Sequence, residues 1–210
     1  MSLGQDPDRE LLEQWLTGDP VEVERSFASL YDKYQARIFS LGLRITGDHG
    51  AASDVVQDTF VAAYEKVDSF RGQALFSSWL TRIGINFALE RRRRDSRTVG
   101  LPRKRGHDPE NDAADLPELV DPRDRSPDRA LIDREEKAGV QEVIRRLPPR
   151  YMTVILLRYV EEMAYEEVAR VLDCSVGTVK SRLNRAHKML EGMLAGLSER
   201  KEPETETENE

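Results

Sequence analysis

The sequence predicts an all-α protein made of two small helical domains. Apolar residues recur at steps of three and four through residues 27–45 and again through 140–190, which is the spacing of one helix face. No stretch alternates with period two, and no Asn-Gly or Asp-Gly pair marks a β-hairpin turn. Five prolines fall within Asp95–Asp128, between the two periodic zones. The zones are therefore expected to fold separately and to be joined by a flexible linker.

These composition changes set the predicted boundaries. The first domain is placed at residues 1–94, the linker at 95–128, the second domain at 129–197 and an acidic tail at 198–210. The tail is polar and rich in glutamate, so it cannot bury enough surface to fold and is expected to be disordered. The linker could span roughly 110 Å when fully extended.

Composition also excludes several classes of protein. The formal net charge of -7 argues against indiscriminate coating of DNA, because phosphate would repel the whole molecule. No apolar run approaches the ~18 residues that a membrane-spanning helix needs, so a cytoplasmic protein without membrane insertion is expected. Cys174 is the only cysteine, which excludes an internal disulfide. The histidines His49, His107 and His187 lack ligand-like spacing, and no metal or cofactor is expected.

Three helices are predicted in the first domain. The first is expected to end at Gly47, and Asp48 is positioned to cap the second. The third runs from about Ala74 to Arg94. The apolar stripe of the first of these helices consists of Phe27, Leu30, Tyr31, Tyr34, Ile38, Leu41 and Ile45.

The second domain has the pattern of a helix-turn-helix. Pro149 suits the first turn of a helix, and Tyr165–Leu172 forms another. The helix that starts at Pro149 is expected to carry an apolar face of Met152, Ile155, Leu156 and Tyr159. A tight connection at Asp173 and Cys174 leads to Ser175, a favourable N-cap for the last helix. Two short helices joined by such a turn, with a basic second helix, are typical of DNA-binding units.

The last helix contains five basic or potentially basic side chains between Ser175 and Leu190 and no acidic one. Its inward face is predicted from Val179, Leu183, Ala186 and Leu190. The side chains that remain for DNA are Thr178, Lys180, Ser181, Arg182, Arg185 and Lys188. Arginine can bond guanine bidentately in the major groove, and a carboxylate here would face the phosphates. An isolated basic helix end could also be simply solvated, since cations favour a helix C-terminus.

Two segments resemble the extracytoplasmic-function (group IV) sigma factors of bacterial RNA polymerase, in the sigma-70 superfamily. The first segment, residues 52–94, resembles their region 2 and reads ASDVVQDTFVAAYEKVDSFRGQALFSSWLTRIGINFALERRRR. The second, residues 147–190, resembles their region 4 and reads LPPRYMTVILLRYVEEMAYEEVARVLDCSVGTVKSRLNRAHKML. The resemblance implies a region 2 helical bundle and a region 4 helix-turn-helix. It also implies that region 2 melts and reads the promoter's −10 element and that region 4 reads the −35 element.

The family's region 2.2 helix binds the clamp helices of the polymerase β′ subunit. The positions that match it here are Asp54, Val55, Gln57, Asp58 and Phe60. Exposed acids beside apolar side chains suit a basic partner surface. Val55, Val56 and Phe60 can instead be core residues, and Val56 and Phe60 are expected to be partly that. Ser53 replaces the glutamate usual in the family, so one clamp-facing charge is missing.

The family's regions 2.3 and 2.4 read one base that is swung out of the stack. This requires an aromatic or apolar pocket, polar groups for the base edge and cations for the strand. The matching residues are Phe70, Arg71, Phe76, Trp79, Asn86, Arg91 and Arg92. Trp79 can also be a core residue of its amphipathic helix, and the arginine run can be a solvated helix end.

The function implied is that of an alternative-sigma transcription initiation factor without catalysis of its own. Its partners are core RNA polymerase, through the β′ clamp helices and the β flap, and promoter DNA. Family members are often held by an anti-sigma factor, which nothing in this sequence identifies. One alternative is a stand-alone helix-turn-helix transcriptional regulator. Another is a metal-dependent enzyme that uses acidic pairs such as Glu161-Glu162, although these read as a solvated helix face.

Overall fold

In the computed structural model of the protein, residues 6–98 and 139–198 are described. They form two compact units, one centred on each range. Every regular element in the two ranges is helical, which confirms the predicted all-α class. Most of the predicted linker, and the tail beyond residue 198, lie outside the described residues.

Within 6–98 the chain forms four α-helices and one short 3-10 turn. The helices are α1 (Arg9–Thr17), α2 (Pro20–Thr46), α3 (His49–Lys66) and α4 (Phe76–Thr98), and the turn Val67–Ser69 follows α3. α2 packs against α1, α3 and α4, and α3 also packs against α4. The long α2 is therefore the centre of a helical bundle. α4 continues four residues beyond position 94, where the first domain was predicted to end.

The start of α2 is encoded by a capping box. The Asp19 carboxylate accepts hydrogen bonds from the backbone N–H groups of Val21 and Glu22, and the Glu22 side chain accepts from the Asp19 N–H. Pro20 occupies the first turn, where its missing N–H costs nothing. These bonds satisfy donors that a helix end otherwise leaves without partners.

The junction between α2 and α3 confirms two sequence predictions. Gly47 ends α2 with a φ of 76°, a left-handed conformation that glycine adopts without steric cost. Its N–H donates to the Leu43 carbonyl at 2.8 Å. The Asp48 carboxylate then accepts from the Ala51 N–H at 2.7 Å and caps α3.

The core of the first unit contains most of the predicted stripe of α2. Its buried members are Leu30, Tyr34, Ile38, Leu41 and Ile45. Phe27 and Tyr31, the other two, are only half-buried. The stripe therefore divides into a part that packs inside the bundle and a part that borders the surface.

No helix was predicted before residue 19, yet α1 occupies Arg9–Thr17. Leu12 and Trp15 are buried three positions apart, as an amphipathic helix requires. The Trp15 ring packs edge-on against Phe27, with ring centroids 5.3 Å apart, and against Phe76 at 6.1 Å. α1 thus closes the bundle over the aromatic part of its core.

The described part of the second unit contains four helical segments. Residues 139–146 form α5, which is followed by α6 (Pro149–Ile155), α7 (Tyr165–Val171) and α8 (Val176–Ser198). α6 begins at Pro149, as predicted, and packs against α8. Its last turn widens into a π-helical segment, Leu156–Val160.

The π-helical segment explains one departure from the predicted apolar face of α6. Met152, Ile155 and Leu156 are buried, but Tyr159 is 54% exposed. A π turn contains more residues than an α turn, so side chains within it leave the 3.6-residue stripe. Tyr159 accordingly lies at the surface.

Among residues 6–98 and 139–198, none of the helices combines the length and the apolar character that a membrane span requires.

Candidate docking groove and nucleic-acid interface

An open apolar groove of about 630 Å³ lies between α2 and α3. Its lining residues are Phe27, Tyr31, Ser53, Val56, Gln57, Phe60, Val61, Tyr64 and Glu65. Val61 and Tyr64 are 51% and 54% exposed, which is unusual for apolar side chains on a well-packed helix. Glu65 and Gln57 supply polar atoms at the groove. The chemistry suits an amphipathic helix whose apolar side chains enter the groove.

The structure separates the five residues predicted to bind polymerase into two groups. Gln57 and Asp58 are exposed on α3, and Asp54 is half-buried. Val55 is 1% exposed and Phe60 is 3% exposed, so both are core residues in this conformation. Phe60 still forms one wall of the groove. Val55 has no access to a partner, because its side chain faces the inside of the bundle.

Asp54 and Arg91 form an ion pair between α3 and α4. Their side chains are 44% and 34% exposed. From the sequence, Asp54 is predicted to contact polymerase and Arg91 to contact promoter DNA. The pair therefore places a predicted polymerase-contact residue next to a predicted DNA-contact residue within the first unit.

Three predicted DNA-contact residues form one aromatic cluster at the start of α4. The ring of Trp79 lies 5.4 Å from that of Phe70 and 5.6 Å from that of Phe76. Phe70 and Phe76 are 3% and 0% exposed, so they support the surface and do not form it. Trp79 is half-buried and is the outermost ring of the cluster. Trp79 is therefore partly a core residue, and its interpretation as a DNA contact stays a prediction.

The loop before α4 carries exposed polar groups. Arg71 is exposed, and Gly72 bends the loop with a φ of 67°, a conformation that favours glycine. Asn86 is exposed on α4, two turns after Trp79. Arg92 is half-buried further along the same helix. Aromatic surface, an amide and arginines thus follow one another from the loop along α4, as binding of a single strand requires.

Two buried aspartates link the start of the chain to this region. The Asp6 carboxylate accepts from the Phe76 N–H at 2.6 Å and from the Asp8 N–H at 2.9 Å. The Asp8 carboxylate, 2% exposed, accepts from Lys33 and from the Tyr34 hydroxyl on α2. Burial first, and then the bond to Asp8, raises the pKa of Tyr34 well above its ordinary range.

In the second unit, α8 presents the predicted DNA-contact residues on its exposed side. Val179, Leu183 and Ala186 are buried, which confirms most of the predicted inward face, while Leu190 is half-buried. The four most exposed candidates are Lys180, Ser181, Arg185 and Lys188, and Thr178 and Arg182 are half-buried. The Ser175 hydroxyl accepts from the Thr178 N–H at 3.1 Å, which confirms Ser175 as the N-cap of α8.

Tyrosines from α6 and α7 hold the basic side chains beside α8. The guanidinium of Arg185, together with the nearby charge of Arg150, lowers the pKa of Tyr151 below its ordinary value. Lys180 and Arg158 lie over the Tyr165 ring, 5.8 Å and 5.2 Å from its centroid. Such cation–π contacts order long side chains without removing their charge.

At the back of α8, His187 contacts the exposed Tyr159. The Tyr159 hydroxyl and His187 Nε2 are 3.0 Å apart, and the ring centroids are 5.6 Å apart. The π-helical segment brings Tyr159 to this position. The contact joins the end of α6 to the middle of α8.

Within the described residues, no cluster of three or more His, Cys, Asp or Glu side chains could hold a metal ion. Glu161 is half-buried and Glu162 exposed, on the turn after the π-helical segment. Cys174 is a half-buried free thiol.

Several residues of these surfaces were missed from the sequence. Val61 and Tyr64 follow Gln57 at helical spacing on α3 and could have been found from that spacing. Asp8 precedes the apolar residues Leu12 and Trp15, which is a recognisable helix start. No local signal could have shown that Asp6 meets Phe76, because seventy positions separate them.

Comparisons with known proteins agree with the two-unit arrangement. Residues 30–98 match the family described as Sigma-70 region 2, and residues 138–190 match Sigma-70, region 4. The RNA polymerase sigma-H factor of Pseudomonas aeruginosa is 36% identical over 93% of this chain and 97% of its own length. The ECF RNA polymerase sigma-E factor of Haemophilus influenzae is 33% identical over 90% of this chain and 96% of its own length.

Solved structures give the same fold. CnrH, in complex with the cytosolic domain of CnrY, is 27% identical with a TM-score of 0.64, covering 91% of this chain and 99% of CnrH. The sigma factor RpoE of Bartonella quintana, in complex with the anti-sigma factor NepR, is 22% identical with a TM-score of 0.55. That match covers 81% of this chain and 98% of RpoE and bears on the fold alone.

Proposed function

Since this chain belongs to the extracytoplasmic-function group of the sigma-70 family, we propose that its two units are two promoter-reading heads presented together by core RNA polymerase. The chain is an alternative sigma factor, and its family acts in transcription initiation with RNA polymerase and promoter DNA. A stand-alone helix-turn-helix regulator is not favoured, because residues 30–98 match Sigma-70 region 2.

The observation that best supports the second head is the exposed basic side of α8. Arg185 and Lys188 are exposed on a helix whose opposite face is buried, and Ser175 caps its N-terminus. Such a helix can enter the major groove, with Arg185 on a base edge of the −35 element and Lys188 on a phosphate.

The first head is proposed to carry both the polymerase contact and the −10 contact. Gln57, Asp58 and the groove beside α3 would receive the β′ clamp helices, with Val61 and Tyr64 burying apolar surface. Trp79 and Asn86 would meet the displaced base and the strand beside it. The second unit would meet the β flap.

An anti-sigma factor is a further proposed partner. The solved relative CnrH, which is 27% identical to this chain, is in complex with the cytosolic domain of a second protein, CnrY. The exposed apolar groove on α3 gives such a protein a surface on which to compete with polymerase. The net negative charge of the chain also disfavours DNA binding in the absence of polymerase. This is an advantage, because a free sigma factor that bound DNA tightly would be titrated by the genome.

A binding experiment separates this function from that of a stand-alone regulator. The full-length chain is mixed with core polymerase and a labelled promoter fragment, and each pair of components is tested separately. We expect the chain to co-purify with core polymerase and to bind the promoter tightly only in that complex. Tight, sequence-specific binding by the free chain, without association with polymerase, would support the regulator instead.

A further inference from the structure

Hydrogen bonds of Asp6 tie residues 6–8 to Phe76, at the end of the loop before α4. Asp6 and Asp8 precede residues 30–98, which match Sigma-70 region 2. We propose that Asp6 is a positioning residue for promoter opening, whose carboxylate holds the loop of residues 70–75 in the conformation that reads the −10 element. The inference rests on the proposed function of that loop and adds a determinant that precedes the matched region.

The Asp6 carboxylate joins two separate parts of the chain with its two oxygens. Oδ2 accepts from the Phe76 N–H at 2.6 Å, and Oδ1 accepts from the Asp8 N–H at 2.9 Å. Phe76 is the first residue of α4, so its N–H has no acceptor within the helix. A carboxylate there satisfies the donor and also favours the positive end of the helix dipole. Asp6 is 8% exposed, so water has little access to replace it.

The segment that carries Asp6 is itself anchored on α2. The Asp8 carboxylate binds Lys33 and Tyr34, and α1 begins at the next residue. The buried side chains of Leu12 and Trp15 hold α1 against the bundle. Asp6 is therefore a fixed point, and the loop end that it holds is fixed with respect to α2.

The two ends of the loop of residues 70–75 are held in different ways. The Phe70 end is held by its neighbours in sequence, whereas the Phe76 end is held by the distant Asp6. Phe70 is buried, and its N–H donates to the Val67 carbonyl in the 3-10 turn just before the loop. Gly72 gives the middle of the loop a left-handed bend. At the far end, Phe76 is enclosed by Trp15, Tyr34, Phe70 and Trp79. Release of the Phe76 N–H would loosen the first turn of α4 and shift Trp79 and Arg71.

A general structural role for Asp6 makes a different prediction from a positioning role. If Asp6 only stabilised the first unit, any variant with the same loss of stability would have the same effect on transcription. Asp48→Ala offers that comparison, because it removes the N-cap of α3 in the same unit and leaves the Phe76 N–H bonded to Asp6. Glu10→Gln, at an exposed carboxylate on α1, controls for charge.

The test uses the full-length chain reconstituted with core polymerase. Opening is followed by 2-aminopurine fluorescence in the −10 element, on a cognate promoter and on one with a substituted −10 base. Thermal unfolding and affinity for core polymerase are measured for each variant. Asp6→Asn keeps the shape of Asp6 but has only one oxygen acceptor for two N–H donors.

We expect Asp6→Asn to reduce opening on the cognate promoter by about tenfold, the effect of losing one hydrogen bond to a charged group. Its preference for the cognate −10 base should fall, with affinity for core polymerase unchanged. Asp48→Ala and Glu10→Gln should keep the wild-type preference. If Asp6→Asn does not fold, Asp6→Glu, which displaces the carboxylate by one methylene, should show the same loss of preference.

Equal base preference in Asp6→Asn and Asp48→Ala at matched thermal stability would overturn the proposal. So would a loss confined to the affinity for core polymerase. Failure of the proposed function would look different, because the wild-type chain itself would then open no promoter.

Discussion

Asp54 on α3 and Arg91 on α4 form an ion pair that joins the proposed polymerase-binding helix to the proposed promoter-binding helix. Both side chains retain access to solvent, at 44% and 34% exposure. The pair therefore orders Arg91 without removing it from the surface. It also makes the position of α4 depend on α3, the helix that polymerase would contact.

The Asp54–Arg91 pair is expected to contribute little to stability. Partly exposed ion pairs typically contribute about 0.2–1 kcal/mol, and salt weakens them. A double-mutant cycle of Asp54→Asn and Arg91→Gln, measured by urea unfolding, should give a coupling energy in that range that shrinks at high salt. A coupling energy above about 2 kcal/mol would mean that the pair is a structural bond of the bundle.

Asp58→Arg should weaken binding to core polymerase and leave the fold unchanged. Asp58 is exposed on α3 beside the groove-lining residues Gln57 and Val61, so a positive charge there would oppose a basic partner surface. Affinity for core polymerase is measured by fluorescence anisotropy. Asp32→Arg, at an exposed carboxylate on α2 that does not line the groove, is the matched control and should bind normally. Equal weakening in both variants would indicate an effect of net charge alone.

Arg185→Ala should weaken recognition of the −35 element in a sequence-dependent way. A bidentate contact to a base contributes about 1–3 kcal/mol of discrimination. Lys188 is exposed on α8 three residues after Arg185. Lys188→Ala should instead weaken binding to all DNA sequences and reduce the salt dependence of the DNA affinity. Competition between −35 variants, in the presence of core polymerase, distinguishes the two effects. Unchanged discrimination in Arg185→Ala would exclude Arg185 from base recognition.

The raised pKa of Tyr34 predicts that the free energy of unfolding falls at alkaline pH. Its pKa in the folded protein is raised by burial and by Asp8, whereas an unfolded tyrosine ionises near about pH 10. Above that pH the unfolded chain binds fewer protons than the folded one, so the free energy of unfolding falls as pH rises. The contribution is complete below about pH 10 and is lost toward the folded pKa, with a slope of up to about 1.4 kcal/mol per pH unit.

Tyr34→Phe lacks this ionisation and provides the comparison. It should be less stable than the wild type at pH 8, because the Asp8 carboxylate loses a hydrogen-bond donor. The difference between the two proteins should narrow between pH 10 and pH 12 in urea titrations. A difference that stays constant over that interval would contradict the assigned pKa direction.

The sequence predicted the helices whose start and stop signals are local. Gly47, Asp48, Pro149 and Ser175 each act on backbone groups within four residues, and the structure confirms all four. The prediction that Tyr159 lies on the buried face was wrong, because a π-helical segment changes the number of residues per turn. The spacing of apolar residues does not reveal such a segment.

The binding surfaces were predicted less completely than the helices. Asp58, Asn86 and Arg185 lie at the surface as expected, since polar residues on an amphipathic helix face outward. Phe70 and Phe76 are buried, because aromatic side chains next to one another gain more from mutual packing than from exposure. Which surface residues act together depends on contacts between distant segments, and residue spacing does not contain that information.

Run-off transcription with purified core polymerase and a library of genomic promoter fragments tests the central claim most directly. The claim is that both units of this chain are brought to one promoter by polymerase and select its start site together. We expect discrete start sites that appear only when the chain is added, each with a shared pair of upstream elements at constant spacing. Transcripts that are the same with and without the chain, or start sites without a shared element pair, would contradict it.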